Sequence, residues 1–384
     1  MRSFMLMIIG LFIFYPFAKA QQNPASTLKR AVEVGEKPRF ISYTATTVKK
    51  NIFSDNDTSV TRISETLTRS AQRKIVAQNT TNSDRFGHPV FRDVFIHDTL
   101  YTLDFRDSVY SFQVHPKTVI GSLTDYLEEL KYVIDRIPSL VQQRPDTVID
   151  RRICYSFFVK RYDTVVNNNH DFTHLYFYLD EKTLLPVYTK ELGAGSASKG
   201  GYSLGRVNVF NERRFANFKI GQVPNATTFK FDKVGFDVEN KQMLENGSVA
   251  PLIQVANLTG KKVSPEEFKN KTLLIEFGST TCGANPLAIP MLNRLAEKHK
   301  ASEVTILSIY SDETTKQIRD YVDANNINVP IYKGNIKLKK SFKTVGTPNF
   351  YLIDKNGLVV RAFHGYSDTL ENELTLAINE LKGN

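Results

Sequence analysis

The sequence predicts two domains of different class, an antiparallel β-rich α+β domain followed by an α/β domain. Three observations carry this. A chain of 384 residues with 41% hydrophobic and 23% charged residues is long enough for two cores at roughly 100 to 200 residues per domain. From about Ala25 to Asp232, aromatic and β-branched residues alternate with polar ones in runs divided by turn residues, the period-two pattern of half-buried strands. After Gly247-Ser248 the rhythm becomes strand, helix, strand, helix, helix, strand, strand, helix, which reads as α/β. The expected boundaries are 25–232 for the first domain, 233–245 for a linker and 246–384 for the second.

Ahead of the first domain stand Arg2, the apolar run Phe4 to Phe17 and the small-x-small tripeptide Ala18-Lys19-Ala20. That is the order of a cleavable secretory signal, so residues 1–20 are expected to be removed and the mature protein to be periplasmic or secreted. The run is shorter than the roughly 20 residues a spanning helix needs, and no cysteine lies near the cleavage site to accept a lipid. Lys and Arg number 50 against 40 Asp and Glu, a net charge of +10. The excess is spread along the chain with no basic arm, which points to solubility and away from a nucleic-acid partner. Only two cysteines occur, Cys154 and Cys282, so disulfide-stapled scaffolds and multi-cysteine metal sites are excluded. No metal or other cofactor is expected.

In the first half, Ile153, Tyr155, Phe157 and Val159 fall on one face of a strand, with Cys154, Ser156 and Phe158 on the other. Leu123, Tyr126, Leu127, Leu130, Val133, Ile134 and Ile137 recur at helical spacing behind Ser122 and Asp125, which resemble a capping box; Pro138 ends the helix. The small-residue run Gly193 to Gly201 lacks the ending of a phosphate loop and reads as a flexible hairpin loop. His170 and His174 lie four apart in a strand, which is not the helical zinc spacing. The order of segments, with Tyr178-Leu179-Asp180-Glu181-Lys182-Thr183-Leu184-Leu185-Pro186-Val187-Tyr188 and the later Phe215-to-Phe231 stretch, resembles the outer-membrane lipoprotein carrier (LolA-like) fold. The resemblance implies a half-barrel whose concave apolar face, lidded by helices, holds an acyl chain. Aromatic stripes that simply fill a core are the plainer reading.

In the second half, Thr272 to Phe277 reads as a buried strand, Ala284 to Lys300 as a helix and Val304 to Tyr310 as another strand. A helix starting at Ser311-Asp312-Glu313 reaches about Asn325. Strands at Asn349 to Ile353 and Leu358 to Phe363 flank the turn Asp354-Lys355-Asn356-Gly357, and Asp368 to Leu381 closes as a helix. The lead-in from Gly247 to Phe277, the turn Cys282-Gly283-Ala284-Asn285-Pro286-Leu287-Ala288-Ile289-Pro290 and the loop Val345-Gly346-Thr347-Pro348 together resemble the thioredoxin-like TlpA/ResA-type thiol-disulfide oxidoreductases. The resemblance implies a thioredoxin-like fold, with Cys282 in the nucleophile position, Glu276 in the position of a buried proton-shuttling carboxylate and Pro348 in a cis-proline loop facing the sulfur. Thr281, Gly283 and Thr347 are then the substrate-binding neighbours.

Physical chemistry points the same way. A cysteine at a strand-to-helix turn sits where free N–H groups and the helix dipole favour negative charge. A cis Pro348 leaves the preceding backbone open to pair with an extended substrate. Lys337, Lys339, Lys340 and Lys343 precede that loop and serve either to favour thiolate or as a solvated helix face.

One departure governs the function expected. Asn285 stands where the family has its second cysteine, and Thr281 replaces the usual aromatic residue. The intramolecular step that frees substrate from a mixed disulfide therefore has no thiol to perform it. Three readings follow. Cys282 works as a single thiol on cysteine-containing envelope proteins, with an external thiol completing exchange. Alternatively, the domain is a peptide-binding or chaperone-like module that has lost turnover, with Cys282 largely structural, behind a lipid- or ligand-binding first domain; cysteine-containing or misfolded envelope proteins are the expected partners. Last, Ser279, three residues before Cys282, resembles the peroxiredoxin Thr/Ser-x-x-Cys and suggests a thiol peroxidase, although the proline expected before it is absent. Cys154 reads as a half-buried structural residue.

Overall fold

A computed structural model describes residues 23–382 except 52–53, 118, 120, 167, 200–201, 240–241 and 300–302; the expected signal segment lies outside the described residues. The first part opens with helix α1 (Pro24–Glu36), followed by β1 (Phe40–Asn51), β2 (Ser54–Arg69), β3 (Ile75–Ser83), β4 (Pro89–Ile96), β5 (Thr99–Asp104) and β6 (Val109–Val114). Helix α2 (Ser122–Arg136) comes next, then β7 (Val141–Ile149), β8 (Arg152–Val166), β9 (Asn169–Asp180), β10 (Pro186–Lys199), β11 (Tyr202–Ile220) and the short β12 (Asp237–Val238).

These strands form one sheet in the order β12-β6-β5-β4-β3-β2-β1-β11-β10-β9-β8-β7. The described pairings are antiparallel except β12 with β6. Residues within the expected linker are thus drawn into the sheet, Asp237 beside Val109 and Val238 beside Tyr110. The amphipathic faces of α1 and α2 close one side: Leu28, Ala31 and Val32 from α1 and Leu123, Leu127, Leu130 and Val133 from α2 pack with Ile41, Leu67, Phe157, Leu175 and Phe177 from the strands. Burial of that apolar area holds helices of this length in place, since isolated ones are marginal in water.

Two local expectations are corrected. Ser122 does not cap α2. The cap position is Gly121, which has no side chain to offer, and the first helical N–H groups are taken from outside the helix. Ser122 N donates to Glu65 Oε2 at 3.2 Å and Leu123 N to the Tyr43 hydroxyl at 2.7 Å, which meets the need for orphan donors at a helix start. Gly193 to Lys199 is not a loop either. Those residues continue β10 and pair with β11, Gly193 opposite Val209 and Lys199 opposite Tyr202. Small residues suit this crossing, since a Cβ on Gly193 would lie 3.1 Å from the Phe172 carbonyl oxygen.

The C-terminal domain runs β13 (Leu273–Gly278), α3 (Asn285–Lys298), β14 (Thr305–Tyr310), α4 (Thr315–Asn325), β15 (Ile331–Lys333), α5 (Ile336–Ser341), β16 (Asn349–Ile353), β17 (Val359–His364) and α6 (Leu370–Lys382). Its sheet has the order β15-β14-β13-β16-β17. Every residue of β13 is buried, Glu276 included, as befits the central strand of a sheet covered on both faces. One face is covered by α3 and α6 through Met291, Leu292, Leu374 and Ile378. The other is covered by Ile253, Val255, Phe268, Leu338 and Phe342. Edge strand β15 was not expected, because three residues are too few for a periodic signal. The two parts touch where Lys340 Nζ of α5 donates to the Asp107 carbonyl at 2.9 Å in the β5–β6 turn. Among the described residues no helix is long and apolar enough to cross a membrane.

Candidate active site

The site forms where β13 ends and α3 begins. Between them residues 279–284 make the turn that carries Cys282, which is half-buried, while Thr281 and Gly283 on either side are exposed. The Cys282 thiol donates to the Thr347 carbonyl oxygen at 3.1 Å. The Thr347–Pro348 peptide is cis and Pro348 is buried. Thus Cys282, Thr347 and Pro348, from two loops 65 residues apart, meet at one place.

The facing loop is held by a residue sequence reasoning missed. Asn349, fully buried, accepts the Val345 N–H at 2.8 Å, and its Nδ2 lies 2.9 Å from His364 Nδ1. As the first residue of β16, the amide ties the loop to the sheet.

Beneath the turn, Glu276 is fully buried. Its Oε1 accepts from Asn285 Nδ2 at 2.8 Å and its Oε2 from Ser308 Oγ at 2.5 Å. Burial pushes its pKa up to about 7, against the lowering effect of Ser308. Asn285 faces both ways, since its Oδ1 accepts the Ser279 N–H at 3.2 Å. A Cβ on Gly278 would fall 2.5 Å from Asn285 Nδ2 and 2.9 Å from Tyr310 Cζ, so the glycine makes room for this amide. Burial, followed by the Glu276 charge, holds the Tyr310 and Tyr321 phenols well above their usual range.

Glu313 was also missed. Its Oε1 accepts from Ser279 Oγ at 2.6 Å and from the Thr280 N–H at 2.8 Å, bracing the turn from the side. Sequence reasoning placed Glu313 in a helix, but α4 begins at Thr315 behind a capping box of Thr314 and Gln317, which leaves the carboxylate free to reach back. The available signal was the Thr-x-x-Gln pair, a better N-terminus than Ser311-Asp312-Glu313.

The lysines ahead of the loop do not act together on the sulfur. Lys339 Nζ pairs with Asp312 at 2.6 Å and Lys340 Nζ lies 3.6 Å from Asp107, so two of the four are directed to carboxylates. Cys154 and Cys282 are both free. Cys154 lies on β8 opposite Thr147 and Asp180, fully buried, with its thiol pushed up by that burial. His170 and His174 share Asp163, at 2.7 and 3.1 Å. Among the described residues no cluster of three or more His, Cys, Asp or Glu is placed to hold a metal.

Residues 246–362 match the model of the AhpC/TSA family. Thiol-disulfide oxidoreductase ResA of Bacillus thuringiensis subsp. konkukian is 30% identical over 127 residues, covering 33% of this chain and 73% of that protein. Thioredoxin-like protein YneN of Bacillus subtilis is 23% identical over 118 residues, covering 30% and 69%. Among solved structures, a thiol:disulfide interchange protein DsbE from Chlorobium tepidum matches 36% of this chain and 98% of its own, with 20% identity and a TM-score of 0.34. With the cysteine turn on β13–α3 and a ResA relative matched over most of its length, the chain belongs, through its C-terminal thioredoxin-like domain, to the ResA family of thiol-disulfide oxidoreductases.

Proposed function

We propose that the protein is an exported single-cysteine thiol-disulfide exchange factor for cysteine-containing or misfolded envelope proteins. The observation that carries this reading is the role of Asn285. At the position of a second thiol it bonds the buried Glu276 carboxylate and the Ser279 N–H, whereas Cys282 keeps its sulfur half-exposed beside Thr347 and Pro348.

In the exchange, Cys282 gives its proton to solvent, its sulfur attacks one sulfur of a substrate disulfide, and that S–S bond breaks. A Cys282–substrate mixed disulfide forms, while the departing substrate sulfur takes up a proton. A thiolate from an external thiol then attacks the substrate sulfur of the mixed disulfide, a substrate–external-thiol disulfide forms as the bond to Cys282 breaks, and the departing Cys282 sulfur takes up a proton. Glu276 serves as the buried carboxyl group beneath the turn, Asn285 fixes it, and Thr281, Gly283, Thr347 and Pro348 form the surface against which a peptide lies.

Trapping tests this. After a short incubation with a disulfide-containing peptide, the wild type should accumulate the mixed disulfide by mass, glutathione should discharge it, and Cys282→Ser should form none. Asn285→Cys should release the peptide unaided and accumulate an internal disulfide. Absence of any wild-type adduct with a folded protein would favour the binding-module reading. The helix-covered sheet of the first part supports the carrier-like reading of that part, with an acyl chain as its proposed cargo; a bound lipid in native mass spectra tests it.

A further inference from the structure

The helix-facing side of the first sheet is apolar over most of its extent, with Phe157, Val159, Leu175, Phe177, Leu179 and Phe215 in one buried cluster with α1 and α2. Where β9, β10 and β11 run side by side the pattern breaks. The register sets Glu191 opposite Leu175 and Asn211, and Thr189 opposite Phe177 and Arg213. Thr189, Glu191, Asn211 and Arg213 therefore share the face of Leu175 and Phe177. Lys190 of β10 and, from α2, Asp125, Tyr126 and Glu129 complete the lining of a cavity of about 250 Å³.

Three buried polar atoms in this lining have no hydrogen-bond partner among the described residues: the Tyr126 hydroxyl, Asn211 Oδ1 and Arg213 Nε. Tyr126 is only 3% exposed. A buried polar atom left unsatisfied forfeits its hydration without compensation, and three around one cavity form a complementary set of donor and acceptor positions. The charges are unequal. Asp125 stands exposed at one side of the cavity. Glu129 is held above the usual carboxylate range by burial and then by the charge of Glu191. The cations nearby are largely engaged: Arg161 lies 3.9 Å from Glu129, Arg213 Nη1 donates to the Ser122 carbonyl at 2.7 Å, and Lys190 is directed to Glu212 at 3.4 Å. The surplus is negative, and Arg213 Nε still lacks an acceptor.

We infer that this cavity binds a small zwitterion of amino-acid size, its ammonium group held by Glu129 and Glu191 and its carboxylate by Arg213. Asn211 Oδ1 accepts a further ammonium proton, and the Tyr126 hydroxyl bonds the ligand from α2. At about 250 Å³ the cavity falls just below the roughly 300 Å³ at which drug-sized ligand pockets start, which suits a ligand of only a few heavy atoms at this one site.

Calorimetric titration of the full-length protein with the common free α-amino acids tests this, with n-butylamine and butyrate as probes that each carry half of the chemistry. At least one amino acid should bind saturably and neither half-probe should. Glu191→Gln should weaken that binding by about tenfold or more, and Tyr126→Phe, which keeps the ring in the core, by less. Both variants should retain wild-type labelling of Cys282, which separates this site from the redox turn. No binding by any amino acid to the folded wild type, equal binding of n-butylamine, or undiminished binding to Glu191→Gln would each overturn the inference.

Discussion

Glu276 makes stability depend on pH in a direction opposite to that of a paired surface carboxylate. Its pKa rises from an ordinary 4.5 to about 7 through burial, as does that of Glu65 beneath α2. Between about pH 4.5 and 7 the folded protein holds protons that the unfolded chain has released, so stability falls as pH rises through that window. Each group lowers stability by roughly 3 kcal/mol once the window is passed. Denaturation midpoints should therefore be higher at pH 5 than at pH 8, and Glu276→Gln should remove part of that slope. An unchanged slope in the variant would mean that Glu276 ionises as freely in the fold as out of it. At this scale Cys282, Glu276 and Pro348 were legible because each is marked by its place in a motif. Asn349 and Glu313 were not, since an asparagine opening a strand and a glutamate near a helix start carry no such mark until the chain folds back on itself.

Two elements here are held by side chains outside themselves, whereas α1, α4 and α5 are capped by their own N-terminal residues. The loop bearing Thr347 and Pro348 depends on Asn349, which bonds Val345 N–H and meets His364. Asn349→Ala leaves that part-buried N–H without its partner, which costs about 1 kcal/mol. A lower thermal midpoint is expected, together with slower formation of the Cys282 adduct; an unaltered adduct rate would show that the loop holds its place without the amide. Helix α2 similarly takes its cap from Glu65 and Tyr43, contacts 57 and 80 residues distant in sequence. Periodicity therefore located α2, while its cap was misread. The run Gly193 to Lys199 was misread for the converse reason: small residues signal turns locally, but ladder bonds to β11 keep them extended.

Across the whole molecule, the change of rhythm after Gly247-Ser248 falls between β12, the last strand of the twelve-stranded sheet, and β13, the first of the five-stranded one, because period-two alternation and buried βα runs are distinct signals. What lay beyond sequence was how the parts touch. Helix α3 lies against β11 and α4 against β2, and Lys340 reaches Asp107. Lys340 and Asp107 keep 47% and 25% of their side-chain surface exposed, so the pair is worth at most about 1 kcal/mol. Lys340→Ala should shift the thermal midpoint by a few degrees at most; a much larger fall would show that the two parts unfold as one unit through this contact. The amide at position 285 reaches further than its two hydrogen bonds. A turn with one sulfur and one carboxamide has no internal dithiol couple, and the other cysteine is sealed within β8. The turn therefore has no internal disulfide to close, and any disulfide made at Cys282 there must take its second sulfur from another molecule.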